Sequence, residues 1–337
     1  MTVKLSLDVM GGDSAPLIVL EGAERTLSSC EDVEFFLFGD EHIIQTHLKN
    51  FPLLQKKSKI YHCSETVTND TKPVAAIRGL KDSSMRKAIE SVASGEADAV
   101  ISAGNTGAYM ALSKILLKML EGIDRPAIAA PLPTVNGFCI GLDMGANLEC
   151  TTENLVQFAI MGEVMARRIL GIKNPKVALL NVGTEEVKGH AVVQQASLIL
   201  KELSDINYIG FIEGDDLNHA VADVVVTDGF TGNIALKTLE GAAHFIFSTI
   251  KETMSSTLLG KLSYVVGRPS FKAIKSKLDP RKYNGAAFIG LRGVAVKSHG
   301  GADAFAFANA IKVALNLAKG SDSLNFGQEI ESKIKEI

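Results

Sequence analysis

The sequence predicts an α/β protein with a largely parallel sheet covered by helices on both faces, and three observations lead there. Short apolar runs such as Ala99-Val100-Ile101 alternate along the chain with longer stretches of helical period, joined by short loops. These runs are apolar at consecutive positions, as in strands buried on both faces. Four of them end in a small polar turn that leads directly into a helix. With 337 residues, 46% of them hydrophobic and 22% charged, the chain has the composition of a globular protein and the length for a large core.

Taken in order, Val3 to Val9 is a strand, and Pro16 opens a helix through Ser28. Val33 to Phe38 is a strand, Glu41 to Leu48 a helix and Lys59 to His62 a short strand. One helix spans Pro73 to Leu80; another, capped by Ser83 or Ser84, runs to Gly95 with Met85, Ile89 and Val92 on one face. A strand from Ala97 to Ile101 precedes a helix from Thr106 to Leu120, and PAIAAPLP and GFCIGLDMGAN each contain a strand. Thr152 caps a long helix ending at Gly171, and the strand after Pro175 ends at Asn181. A helix from His190 to Leu203, strands at Tyr208 to Ile212 and Asp223 to Thr227, and a long helix follow. Gly285 to Gly290 and Val294 to Lys297 are late strands, the last helix ends near Lys319, and the charged tail beyond Gly320 frays. No repeat or linker divides the chain, so residues 1–337 read as one domain, with a helical projection at 240–282.

A net charge of −3 offers no basic field for nucleic acid, and no nucleic-acid partner is expected. Cys30, Cys63, Cys139 and Cys150 lie far apart with no C-x-x-C pair, which speaks for a reducing, cytoplasmic setting and against a zinc site. The N-terminus reaches Asp8 too soon for a signal-peptide core, and no stretch approaches the roughly 20 apolar residues of a membrane span. Any membrane contact is therefore expected to be peripheral. The first strand is followed by MGGDSAP rather than G-x-G-x-x-G, Gly260-Lys261 lacks the glycine spacing of a Walker A loop, and the histidines have no ligand spacing. Neither cofactor nor metal is expected. No G-x-S-x-G elbow or H-x-x-x-x-D pattern supplies an activated nucleophile, which leaves direct attack by a bound anion.

The four polar turns supply that anion's site. They hold Gly11, Gly12 and Asp13; Ser102, Gly104, Asn105, Thr106 and Gly107; Asn181, Gly183 and Thr184; and Asp228, Gly229, Thr231 and Gly232. Unpaired N–H groups, hydroxyls and helix N-termini suit a tetrahedral oxyanion such as phosphate, and the carboxyl ends of parallel strands are where ligands bind. Asp13 and Asp228 read as Asx-type caps that shape their turns. Lys188 and Glu185, in GTEEVKG, are either the charged members of this site or a solvated loop pair. His299, beside Gly300 and Gly301, is either a donor to an oxyanion or leaving thiolate or a structural loop histidine; Asn233, after Gly232, completes the catalytic candidates.

From Leu258 to Lys282 the chain carries a local charge of +6 against −9 elsewhere. Leu258, Leu262, Val265 and Val266 form one apolar face, and Phe271, Ile274 and Leu278 another, after a break at Gly267-Arg268-Pro269. With Arg268, Lys272 and Lys275, these two basic amphipathic helices suit an anionic membrane interface, an acidic carrier protein or a dimer partner.

DVMGGDSAP, ISAGNTGA, GIDRPA, LDMGAN, LLNVGTEEVKG and ADVVVTDGFTGNIALKTLEG, in this order over nearly the whole chain, resemble the signatures of the bacterial phosphate acyltransferases of the PlsX type. The resemblance implies a three-layer α/β/α sandwich of the isocitrate and isopropylmalate dehydrogenase kind. It implies acyl transfer from acyl carrier protein to inorganic phosphate, giving an acyl phosphate for phospholipid synthesis, with a glycerol-3-phosphate acyltransferase downstream. It further implies a homodimer touching the membrane through the basic helices. The competing expectations are a phosphotransacetylase acting on coenzyme A thioesters and a non-catalytic, membrane-recruited scaffold of lipid synthesis.

Overall fold

The computed structural model describes residues 2–277, 279–320 and 323–335. The first part of the chain forms β1 (Val3–Asp8), α1 (Leu17–Leu27), β2 (Val33–Gly39), α2 (Glu41–Leu48), α3 (Pro52–Lys56) and β3 (Ser58–His62). It continues with α4 (Pro73–Arg78), α5 (Ser84–Ala93), β4 (Ala99–Ser102), α6 (Thr106–Leu117) and the hairpin of β5 (Ala127–Thr134) and β6 (Gly137–Leu142). Next come α7 (Thr152–Ile169), β7 (Val177–Leu180), α8 (Ala191–Glu202), β8 (Tyr208–Ile212) and β9 (Val224–Val226). The remainder is α9 (Gly229–Ser256), α10 (Leu258–Val266), α11 (Arg268–Lys277), β10 (Ala286–Ile289), β11 (Val294–Lys297), α12 (Ala304–Gly320) and α13 (Ser323–Lys335).

The eleven strands of the described residues join one sheet in the order β3-β2-β1-β4-β11-β10-β5-β6-β9-β7-β8. Alternate residues of each strand enter cores on opposite faces. Leu5, Leu7, Val224 and Val226 pack with α1, α7 and α12, while Val100, Ile128, Val225 and Phe288 pack with α5 and α6. This is the expected sandwich of helices on both faces of a mostly parallel sheet.

The middle of the sheet is not parallel. β10 runs antiparallel to both β11 and β5, and β5 is antiparallel to β6, whereas β6, β9, β7 and β8 are mutually parallel. The strands beyond the hairpin therefore run opposite to β1, β4 and β11. Each of the four polar turns still follows the carboxyl end of its strand.

Local differences from the sequence expectations have simple causes. Thr151, not Thr152, caps α7: Asn154 N donates to Thr151 Oγ1 (3.3 Å) and Thr151 N to Asn154 Oδ1 (3.1 Å), a reciprocal capping box. Ser83 precedes α5, but its hydroxyl donates to Leu80 O instead of capping. The helix expected to reach Leu120 stops at Leu117, because Lys118 turns the chain at φ 63°.

Where fraying was expected beyond Gly320, the described residues Ser323–Lys335 form α13, packed on α7. Ile330 is fully buried, and Glu329 pairs with Arg167 and Arg168 while Lys333 lies 3.6 Å from Glu163. Beside these partly buried ion pairs, the fully buried Ile330 gives the helix an apolar anchor. Replacing Ile330 with Ala should lower stability by about 2–4 kcal/mol, read as a shift in the urea midpoint; a helix held by its ion pairs alone would show no shift.

α9 buries only Gly229 and Gly232, and α10 buries nothing: Leu258, Leu262, Val265 and Val266 are all exposed. Tyr264 stacks on Phe271 across the junction of α10 and α11, and Arg268 and Lys272 are exposed on α11. Leu278 and the side chain of Lys275 lie outside the described residues. No helix among the described residues is long and apolar enough to cross a membrane.

Candidate active site

The turns after β1, β4 and β11 pack face to face. Asp8, at the end of β1, is buried, and its two oxygens accept from Ser84 Oγ (2.6 Å) and Ser102 Oγ (2.6 Å). Gly104 N donates to Ser102 Oγ (3.0 Å), and Asp13 N to Gly300 O (3.0 Å). A Cβ on Gly11 would strike Asp8 Oδ2 and come within 2.9 Å of Gly104 N, so this approach of two backbones requires glycine. Gly12, at φ +109°, lies against Ala103 and Gly300. Burial pushes the Asp8 carboxyl above its usual range, while the hydroxyls of Ser102 and Ser84 pull the other way.

Asn105 is the N-cap of α6. Its Oδ1 accepts from Ala108 N (3.0 Å), and its Nδ2 donates to the carbonyls of Thr68, Asn69 and Thr71. Asn69 Nδ2 in turn donates to Asp13 Oδ1 (2.9 Å). The loop before α4 is thus stapled over two of the turns, and Asp13 holds that loop rather than capping its own.

A second group forms at the ends of β6 and β9. Asp143 is buried and accepts from the backbone N–H groups of Ile128 (2.9 Å), Gly145 (3.2 Å), Ala146 (3.0 Å) and Asn147 (2.7 Å), and from Asn147 Nδ2 (2.9 Å). Gly229 N donates to Asn147 O (2.7 Å), which seats the start of α9 on this loop. Asp228 caps α9, accepting from Thr231 N (2.8 Å) and Thr231 Oγ1 (2.9 Å), as an Asx-type cap should. Asn233, one turn into α9, is exposed and packs over Gly145.

The loop after β7 is closed by Asn181, whose Nδ2 donates to Gly183 O (3.1 Å) and Lys188 O (3.1 Å). Thr184, Glu185 and Lys188 are exposed on it. β7 lies beside β9 in parallel register, which sets this loop on the same sheet edge as Asp228. The first group approaches α9 through His299, which feels the charges of Lys237 and Glu240, both on that helix. Gly301 N donates to His299 Nδ1 (3.1 Å), which fixes the neutral tautomer with its proton on Nε2. Partial desolvation and the Lys237 ammonium hold the imidazole below the usual histidine range.

The candidates therefore divide by what their polar atoms already do. Ser102, Gly104, Asn105, Asn181, Asp228 and Thr231 are engaged in shaping the turns. Among the described residues, no partner engages the N–H groups of Thr106 and Gly107, the amide of Asn233 or the ammonium of Lys188, and all four residues are exposed. Sequence reasoning passed over Asp8, Ser84, Asp143, Asn147 and Lys297. The signal for the carboxylates was present: an Asp closing a strand, followed by glycines whose N–H groups need an acceptor.

Comparison with known proteins gives concordant results. A family model described as "Fatty acid synthesis protein" matches residues 3–322. The phosphate acyltransferase of Rhodospirillum centenum is 51% identical over 93% of this chain and 88% of its own length, and that of Paramagnetospirillum magneticum 49% identical over 94% and 90%. Among solved structures, a phosphotransacetylase from Streptococcus pyogenes superposes with a TM-score of 0.65 at 17% identity, covering 95% of both chains. The EutD phosphotransacetylase of Staphylococcus aureus gives 0.62 at 16% identity, over 95% and 94%. These structural likenesses establish the shared fold.

Proposed function

The chain belongs to the fatty acid synthesis protein family and is an acyltransferase, and from that premise we propose that it moves an acyl group from acyl carrier protein to inorganic phosphate. The observation that carries the reading is the extended identity to proteins named phosphate acyltransferase. Phosphate is held by the free N–H groups of Thr106 and Gly107, the Thr184 hydroxyl and Asn233, with Lys188 offsetting its charge. One phosphate oxygen bonds to the thioester carbonyl carbon, and the Nε2–H of His299 and Lys188 stabilise the resulting oxyanion. The C–S bond then breaks, and the departing thiolate takes the proton carried by hydrogen phosphate.

Two features support direct attack. Burial pushes the thiols of Cys63 and Cys139 up to about 12 and that of Cys150 to about 11, so none of these serves as a thiolate nucleophile near neutral pH. A shared site is supported by His299, beside the first group of turns, whose imidazole feels the charges of Lys237 and Glu240 on α9.

The acyl phosphate is the substrate of a glycerol-3-phosphate acyltransferase. The exposed faces of α10 and α11 meet an anionic membrane, and the chain acts as a homodimer. The donor is tested by comparing acyl carrier protein and coenzyme A thioesters of one acyl chain. The proposal expects the higher kcat/KM with the carrier protein, and a preference for coenzyme A would make the chain a phosphotransacetylase. Because the Lys188 side chain is exposed and unpaired among the described residues, Lys188→Ala should lower kcat by roughly 100-fold. Its urea midpoint should stay unchanged.

A further inference from the structure

Lys297 closes β11, where it stands in register with Ser102 of β4. It is 9% exposed, and its ammonium donates to Ala103 O (3.3 Å) and to Ser298 O. Ala103 is the residue from which the β4 turn departs, and Ser298 N is bonded back to Ser102 O (2.9 Å). The side chain is thus a buried tie between two strand ends, bonded to the first residue of the turn that carries the free N–H groups of Thr106 and Gly107. A lysine is a costly tie in such a place, since a neutral donor would hold the same carbonyls without desolvating a charge. What the ammonium adds is one unit of positive charge under the turn.

Resting on the phosphate reading of that turn, we infer that Lys297 is a positioning residue of the anion site. Its protonated form fixes the β4 turn and supplies a buried positive charge that strengthens binding of a tetrahedral dianion. The charged groups facing it are Asp8 from β1 and Asp13 from the turn beyond, with His299 on the far side of Ser298; β4 itself contributes none. His299 is neutral above pH 7, and Asp8 lies in the same buried cluster whatever its charge. Loss of the Lys297 proton therefore removes one positive charge from this neighbourhood.

Burial brings the Lys297 ammonium down to about 8, with Asp8 and Asp13 acting in the opposite direction. Anion affinity should fall as pH rises through that value. Stability should do the opposite. Between about 8 and the ordinary 10.5 the unfolded chain keeps a proton that the folded chain has released, so this group favours folding more as pH rises.

The test is calorimetric titration of the full chain with sulfate, whose charge is constant from pH 7 to 9.5. Affinity should fall roughly tenfold across that range, with its midpoint near 8, while the urea midpoint shows no parallel loss. Lys297→Met should bind weakly and without pH dependence, and Lys297→Arg should bind as the parent chain does at pH 7 and remain flat to pH 9.5. Sulfate binding that is independent of pH in the parent chain, or a pH dependence that survives in Lys297→Met, overturns the inference while leaving the phosphate site standing. Absence of sulfate and phosphate binding at every pH removes the site and the inference together. The parent curve decides even if neither variant folds.

Discussion

Gly232→Ala should abolish acyl transfer and lower stability by about 2–3 kcal/mol, measured by urea denaturation alongside turnover. Gly232 lies in the first turn of α9, against the chain at Asp143. A Cβ there would strike the Asp143 carbonyl oxygen and lie 2.9 Å from Met144 Cε. The thioether can swing aside, but the carbonyl cannot, because Asp143 N is bonded to Thr227 O and its carboxylate is engaged by five donors. The start of α9 must therefore lift from the loop, carrying Asn233 with it and breaking the bond from Gly229 N to Asn147 O. Gly241→Ala, farther along α9 where a Cβ meets nothing within 4 Å, should retain both activity and stability. Full activity in Gly232→Ala would mean that the seating of α9 on the Asp143 loop does not matter to the chemistry.

Asp143→Ala should be more damaging to the fold, by about 3–5 kcal/mol, which leaves little or no folded protein in a domain of ordinary stability. The carboxylate gathers the backbone N–H groups of Gly145, Ala146 and Asn147 and the Asn147 amide from its own loop, and Ile128 N from β5. Removing it orphans those donors at once, with Ile128 N at the edge of the central hairpin. Asp143→Asn keeps the shape but presents an amide NH2 to N–H donors, so it should fall between the two. A thermal or urea midpoint within experimental error of the parent in Asp143→Ala would contradict this picture of the loop.

Strand-and-helix alternation was legible wherever apolar runs were bounded by glycine or proline, as at β1, β4, β7 and β9. Pairing was not, because pairing is a long-range matter: Ala286–Ile289 reads as a strand but carries nothing that says it lies between β11 and β5, antiparallel to both. The missed helix α13 had a visible signal. Phe326, Ile330 and Ile334 recur every four residues and pack into the core, but the charges between them drew the reading toward a frayed tail.

The turns were found because small polar residues before a helix are a local pattern. Which of their atoms remain free is not local. Asn105 before Thr106-Gly107-Ala108 has the pattern of a helix cap, and capping engages its carbonyl oxygen; the loop at 68–71 that takes its NH2 lies more than 30 residues earlier. Lys297 was passed over for a related reason. A lysine at the end of a strand ordinarily extends to solvent, and only the approach of the β4 turn buries this one.

The central claim is that this chain uses inorganic phosphate itself as the acyl acceptor. Its most direct measurement is release of free thiol from purified acyl carrier protein thioester, followed with and without phosphate. Thiol should appear in proportion to acyl phosphate, with saturable dependence on phosphate and none in its absence. Thiol release at the same rate without phosphate, or no release at any phosphate concentration, would contradict it.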